Sequence, residues 1–259
     1  MRKALQSTLR FAGFLALTLP LMPMQALLLL CRSRLSLRLP HIYHRALCRL
    51  LRFNVRTEGV VPASGPCLLV ANHVSWIDIV VLSAVAPVSF VAKQKVAKWP
   101  LFGSMARLQR SIFIDRDRRS KTGFSKNEVR QRLAEGEIVV LFPEGTSGDG
   151  TSVRSFKSSY FAAAQGEGTT VAPVTLAYKS NWHMPLTRRQ RPHFAWYGDM
   201  DLAPHLWRVL AAGPLHVEVI FHQPLEKHVL SDRKRAAEQA EELVREGLAN
   251  ALHASGKFR

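Results

Sequence analysis

The chain has 259 residues, enough for one substantial α/β core, and 47% of them are hydrophobic. Lysine and arginine number 36 against 19 acidic residues, a formal charge of +17, which points to an anionic partner: nucleic acid, anionic lipid or a phosphorylated substrate. Cys31, Cys48 and Cys67 are too few and too scattered for a disulfide framework or a zinc site, and they read as small buried hydrophobes.

No acidic residue precedes Glu58, while arginines recur throughout that region among its most apolar residues. The run from Phe11 to Cys31 carries no charge and is long enough to span a bilayer. It lacks the small-residue cleavage site of a secretory signal. Pro20 and Pro23 would break or kink a helix at its middle, so a re-entrant hairpin and a true span both fit. Leu39, Tyr43, Ala46, Leu50 and Phe53 then recur at helical intervals, with Arg38, Arg45, Arg49 and Arg52 on another face. Such a basic amphipathic helix lies in a headgroup region, or packs on its own domain with a solvated basic face. Residues 1–53 are read as a membrane-associated region and 54–259 as the catalytic domain.

From there strand-like and helix-like runs alternate. Strands are expected near 53–56, 68–71, 88–92, 112–115, 138–142, 171–178 and 216–221. Helices are expected near 77–85, 99–108, 127–134, 156–165 and 202–210, with a last helix capped by Ser231. The alternation predicts a single α/β domain with a mixed, mostly buried sheet flanked by helices.

Two of these strands end in polar clusters. After Cys67–Ala71 come Asn72, His73, Ser75 and Asp78; after Ile138–Leu141 come Phe142, Pro143, Glu144, Gly145 and Thr146. A histidine oriented by a carboxylate removes a proton from an alcohol near neutral pH. Ser75 and Asp78 also fit a helix capping box, and Glu144 also fits an ordinary surface turn. Two further blocks follow the same chain order: Phe113-Ile114-Asp115-Arg116 and Val171-Ala172-Pro173-Val174.

In order and spacing the four blocks resemble the glycerolipid acyltransferase family, which includes the 1-acyl-glycerol-3-phosphate acyltransferases, over roughly residues 55–225. The resemblance implies that His73 and Asp78 are catalytic and that Glu144, Gly145, Thr146 and Arg116 bind the acceptor. It implies no bound cofactor and no metal. An acyl thioester of coenzyme A or of acyl carrier protein is the donor, and membrane lipids, not nucleic acid, are the partners. The active site would face the cytoplasm, at the inner membrane if the source is bacterial. Members acting on glycerol phosphate usually carry arginine directly after F-P-E-G-T, where this chain has Ser147, so Arg154 or Lys157 would have to hold a phosphate. The segment 145–157, with Trp196-Tyr197-Gly198-Asp199, is closer to the lyso-ornithine lipid acyltransferase branch.

The expected reaction is O-acylation of a lyso-lipid hydroxyl, with 1-acyl-glycerol-3-phosphate the first acceptor and a lyso-ornithine lipid the alternative. Two more remote readings remain: a lipid esterase, from the near-elbow Gly145-Thr146-Ser147-Gly148, and a non-enzymatic basic membrane-binding protein.

Overall fold

A computed structural model describes residues 2–114, 122–165, 168–181 and 184–254. The helix α1 (Arg2–Leu30) runs unbroken through Pro20 and Pro23, so the expected break does not form. Each proline removes only its own amide from the ladder, and packing along the inner face holds the helix together. That inner face carries Ser7, Phe14, Thr18 and Gln25, spaced seven, four and seven residues apart, and all are buried. The outer face exposes Leu5, Leu9, Leu19, Leu27 and Leu30. After a short turn α2 (Leu35–Leu51) packs back against α1 and buries Tyr43, His44, Leu47, Cys48 and Leu51. The buried stripe is therefore rotated from the predicted one: Leu50 is only partly covered, and Phe53 has left the helix for the first strand. Arg38, Arg45, Arg49 and Arg52 are exposed, as predicted.

Among the described residues eight strands follow: β1 (Phe53–Glu58), β2 (Cys67–Ala71), β3 (Val88–Lys93), β4 (Ile112–Ile114), β5 (Ile138–Leu141), β6 (Thr170–Asn181), β7 (Met184–Pro185) and β8 (Leu215–Phe221). They form one mixed sheet in the order β1-β8-β6-β2-β5-β3-β4, with the two-residue β7 on β6. All neighbours run parallel except β6 with β8 and with β7. Central strands are apolar on both sides because both faces are covered. Along β2, Cys67, Leu69 and Ala71 join the core beneath α1, α2, α3 (Ile77–Val85) and α6 (Leu202–Ala212). Leu68 and Val70 point the other way, into the core beneath α5 (Thr122–Ala134) and α8 (Arg233–Ala254). Phe14, Tyr43 and Leu47 belong to the first of these cores, so the N-terminal helices are packed into the fold.

Between them lie α4 (Phe102–Leu108) and α7 (Lys227–Leu230). The segment expected as a helix over 156–165 is a short 3-10 helix, Ser158–Ala163. Phe161 and Ala163 bury against the second core, and that packing does not require a full helix. The last helix is capped by Asp232, whose carboxylate accepts the Lys234 amide at 2.8 Å. Ser231, the predicted cap, instead closes α7 by donating to the His228 carbonyl.

Candidate active site

The register brings the two polar clusters together. β2 and β5 are parallel neighbours with Val70 opposite Leu141, so their carboxyl ends release His73 and Glu144 side by side. The carboxyl edge of parallel strands is where α/β sheets form ligand crevices. Asn72 fixes the exit from β2. Its amide donates to the Leu176 carbonyl at 2.9 Å, and its oxygen accepts the Leu176 amide at 2.7 Å, tying the turn to β6.

His73 then faces Asp78 on the first turn of α3, with Nδ1 2.7 Å from Asp78 Oδ2. The same Oδ2 accepts the amides of Val74 at 2.7 Å and Ser75 at 3.0 Å. Only half of the capping box forms: Asp78 accepts the Ser75 amide, but Ser75 Oγ does not bond back, so the same carboxylate braces the turn before the helix and faces the histidine. Asp78 is wholly buried, while the His73 side chain keeps 20% of its surface open. Tyr178, from β6, completes the arrangement by donating its hydroxyl to Asp78 Oδ1 at 2.7 Å. Burial, then the adjacent Asp78 charge, pushes the tyrosine well above its ordinary range, so it remains a donor. A carboxylate with four donors and no fixed cation is well placed to stabilise an imidazolium as it forms.

Glu144 braces the turn rather than standing at its surface. One oxygen accepts the His73 amide at 2.9 Å, the other the Arg154 amide at 3.3 Å, and only 4% of the residue is exposed. Burial raises its pKa from 4.5 to about 7, against the lowering effect of those two amides. Phe142 stacks on the His73 ring with centroids 4.1 Å apart. Gly145 adopts φ +76, a backbone that admits glycine at little cost, and its amide bonds the Phe142 carbonyl. The Gly148 amide donates to the His73 carbonyl at 2.9 Å, folding the glycine-rich loop over the histidine.

Thr146 is exposed and, with Ser147, lines the cavity beside His73. Ser147 donates its hydroxyl to the Trp196 carbonyl and makes no hydrogen bond to His73, which removes the esterase-elbow reading. Arg154 is exposed, with Nε 3.7 Å from where a Cβ on Gly148 would lie. Lys157 is also exposed, and its amide bonds the Pro143 carbonyl. Arg116 lies outside the described residues. Tyr178 and Trp196 were not foreseen as site residues. Their only sequence signal is an aromatic hydroxyl inside an apolar strand and a tryptophan in the segment singled out after it.

His73 opens onto a cavity of about 450 Å³ that runs under α1 and α2. Its walls are mostly apolar, including Leu21, Leu47, Val80, Phe90, Trp99 and Leu206, and exposed Lys93 and Lys95 also contribute. Among the described residues no cluster of three or more potential metal ligands occurs.

Residues 52–177 match the acyltransferase family model. A lyso-ornithine lipid O-acyltransferase of Brucella abortus is 43% identical over 93% of this chain and 93% of its own. Its counterpart of Rhizobium meliloti is also 43% identical, over 91% of this chain and 83% of its own. A 1-acyl-sn-glycerol-3-phosphate acyltransferase of Neisseria gonorrhoeae is 33% identical over 71% of this chain and 69% of its own. The crystal structure of the 1-acyl-sn-glycerophosphate acyltransferase PlsC from Thermotoga maritima has the same fold, with a TM-score of 0.69 at 23% identity over 96% of this chain and 95% of that one.

Proposed function

Because the chain belongs to the acyltransferase family and transfers an acyl group to a lyso-lipid, we propose that its acceptor is a lyso-ornithine lipid and that His73 and Asp78 carry the reaction. The observation that carries the mechanism is the His73–Asp78 pair at the mouth of an apolar cavity, with no serine bonded to the histidine.

The acceptor hydroxyl donates to His73 Nε2 while Nδ1–H stays on Asp78. As its oxygen attacks the thioester carbonyl carbon, the proton passes to Nε2 and the imidazolium rests against the carboxylate. The tetrahedral intermediate places a negative oxygen near the turn after Phe142. The amides of Gly145 and Gly148 are spent on Phe142 and His73, which leaves Thr146 and Ser147, unpaired at the backbone among the described residues, as its donors. When the carbon–sulfur bond breaks, the thiolate takes the proton back from Nε2. The products are ester and free thiol, with no group left on the enzyme.

The cavity takes the acyl chain. Lys93 and Lys95 suit the anionic carrier of the thioester, coenzyme A or acyl carrier protein. Arg154, beside Gly148 and Glu144, suits the anionic part of the acceptor, with Glu144, Gly145 and Thr146 shaping its seat and Lys157 and Arg116 as further cations. Two features favour the ornithine head group over the phosphate. The relatives of 43% identity carry that name, and Ser147 is held by a backbone carbonyl where a phosphate-binding arginine is expected. The two acceptors weighed from sequence thus change places.

Residues 1–53 form the membrane-associated region and 54–259 the acyltransferase domain. The apolar outer face of α1 supports membrane association. The exposed arginines of α2 favour anionic headgroups of the cytoplasmic leaflet, the inner membrane in a bacterium.

The test is an acceptor panel with purified protein and one acyl thioester. Lyso-ornithine lipid should exceed lysophosphatidate in kcat/KM by at least about tenfold, the scale of one charge-assisted hydrogen bond. Ser147→Arg should narrow that ratio. Native preference for lysophosphatidate would overturn the acceptor assignment while leaving the acyl transfer intact.

A further inference from the structure

The lining of the acyl cavity is polar where α1 meets α2, and this polarity has no part in the reaction. Thr18, Gln25, Tyr43 and His44 all contribute to that wall. Thr18 and Tyr43 satisfy each other at 2.9 Å. Gln25 spends its amide nitrogen on the carbonyls of Ser36 at 2.8 Å and Leu108 at 2.9 Å, and its oxygen receives no donor.

His44 carries the argument. Its Nδ1 lies 2.8 Å from the Pro40 carbonyl, which can only accept, so Nδ1 holds the proton. Ser83 Oγ lies 3.0 Å from the same nitrogen. Burial pushes the pKa down to about 4; the bond to the Pro40 carbonyl opposes that shift and the neighbouring His41 adds to it. The ring is therefore neutral with a fixed tautomer, and Nε2 is a bare lone pair. Nε2 has no hydrogen-bond partner among the described residues, and the side chain lines the cavity while the residue as a whole is 6% exposed. A chain of methylenes lying against this wall would leave the acceptor unsatisfied, at a cost comparable to a lost hydrogen bond. What it lacks is a donor, and the donor a fatty chain can carry is a hydroxyl.

We propose that the α1–α2 end of the cavity selects a hydroxylated acyl chain, whose hydroxyl donates to His44 Nε2, with the Gln25 oxygen as a second acceptor on the same wall. The proposal rests on the reading of the cavity as the acyl site. It adds chain-oxygen selectivity to that reading, and it assigns Gln25 and His44 as specificity-determining residues outside the catalytic group.

The experiment uses the full-length protein in detergent. One arm compares saturated acyl thioesters of one length, unsubstituted or with a hydroxyl walked along the chain. The other arm keeps the donor plain and places the extra hydroxyl on the acceptor's own chain. One hydroxyl position should be preferred over the plain chain by about tenfold in kcat/KM, the equivalent of one net hydrogen bond. The preference should appear in the donor arm; one confined to the acceptor arm would put the acceptor's chain in the cavity and overturn the proposal. His44→Leu should bring the hydroxyl-to-plain ratio to one or below. If that variant does not fold, Gln25→Leu and competition of native turnover by free hydroxy fatty acids against plain ones give the same reading.

Plain and hydroxylated chains used equally at every position would mean that water satisfies His44, and would overturn the proposal. So would a preference that persists in folded His44→Leu. A protein that turns over no acyl thioester at all would instead sink the acyl-transfer reading beneath it.

Discussion

Asp78→Asn separates the charge of the carboxylate from its geometry. In the native site Oδ2 accepts from His73, Val74 and Ser75, and Oδ1 accepts from Tyr178. An asparagine can put its oxygen in the Oδ2 position and turn its amide toward Tyr178, whose hydroxyl accepts as well as it donates. The tyrosine proton can then swing to Ser75 Oγ, its buried neighbour. The three donors on Oδ2 all keep an acceptor and His73 keeps its tautomer, so folding should be nearly unaffected. What disappears is the negative charge beneath the imidazolium. A charge-assisted hydrogen bond exceeds a neutral one by about 1–2 kcal/mol, and the dry surroundings of Asp78 strengthen the effect. The expected loss in kcat is about ten- to a hundredfold.

Tyr178→Phe should show the opposite balance. It leaves one oxygen of a fully buried carboxylate without a donor, costing about 1–3 kcal/mol of stability, while the histidine keeps its charge partner. At roughly 2–4 °C per kcal/mol for a domain near this size, Tm should fall by several degrees, with activity reduced less than in Asp78→Asn. Thermal melts by circular dichroism and initial rates on one lyso-lipid give both numbers. If Asp78→Asn melts well below the native protein while Tyr178→Phe does not, the hydrogen-bond exchange at Tyr178 is wrong. If folded Asp78→Asn retains native turnover, the carboxylate charge has no part in the chemistry.

His73→Ala should lower turnover by at least about a hundredfold with the fold intact, the scale of losing a general base; near-native rates in that variant would end the mechanism. Glu144 has its pKa raised by burial from 4.5 to about 7, so the folded protein holds a proton that the unfolded chain has released in this window. Its contribution to stability therefore falls as pH rises from about 4.5 to about 7, by about 3 kcal/mol at the order of magnitude. Glu144→Gln, which cannot ionise, should be closest to or above the native protein in stability at pH 8 and fall behind it at pH 5; an equal difference at both pH values in denaturant titrations would refute the shift. Serine in place of the exposed Leu5, Leu9, Leu19 and Leu27 should leave the inner face of α1 packed and sharply reduce retention on vesicles at high salt, since each leucine contributes on the order of 1.5–3 kcal/mol when buried in lipid. Undiminished binding would place the membrane contact elsewhere.

The elements most legible from sequence were those whose signal is local. A strand buried on both faces reads as a continuous apolar run whatever its neighbours, and β2, β3, β5, β6 and β8 fall within a residue or three of their predicted bounds. α3 was placed correctly because Ile77, inside the motif, opens the apolar stretch that continues past Asp78. Where a segment's state depends on partners distant in sequence, local reasoning misplaced it. The buried stripe of α2 is set by α1 and α3 packing on it, which no periodicity within 35–51 reveals. The two prolines in α1 are tolerated because the inner face of that helix is packed against the domain.

The candidate active site divides along the same line. His73, Asp78 and Glu144 were legible because each pair of partners is either close in sequence or marked by a block. Tyr178 reaches Asp78 across a hundred residues, through a parallel β2–β6 pairing that sequence alone does not define. The role of Glu144 shifted for a related reason: a carboxylate after proline and before glycine reads as a contact for substrate, yet both its oxygens are taken by backbone amides, one of them that of His73. In the proposed mechanism its part is then to fix the turn that carries His73. A change at Glu144 should accordingly disturb the position of the base as well as the seat of the acceptor, lowering kcat together with apparent acceptor affinity. A residue that only touched the acceptor would move KM alone.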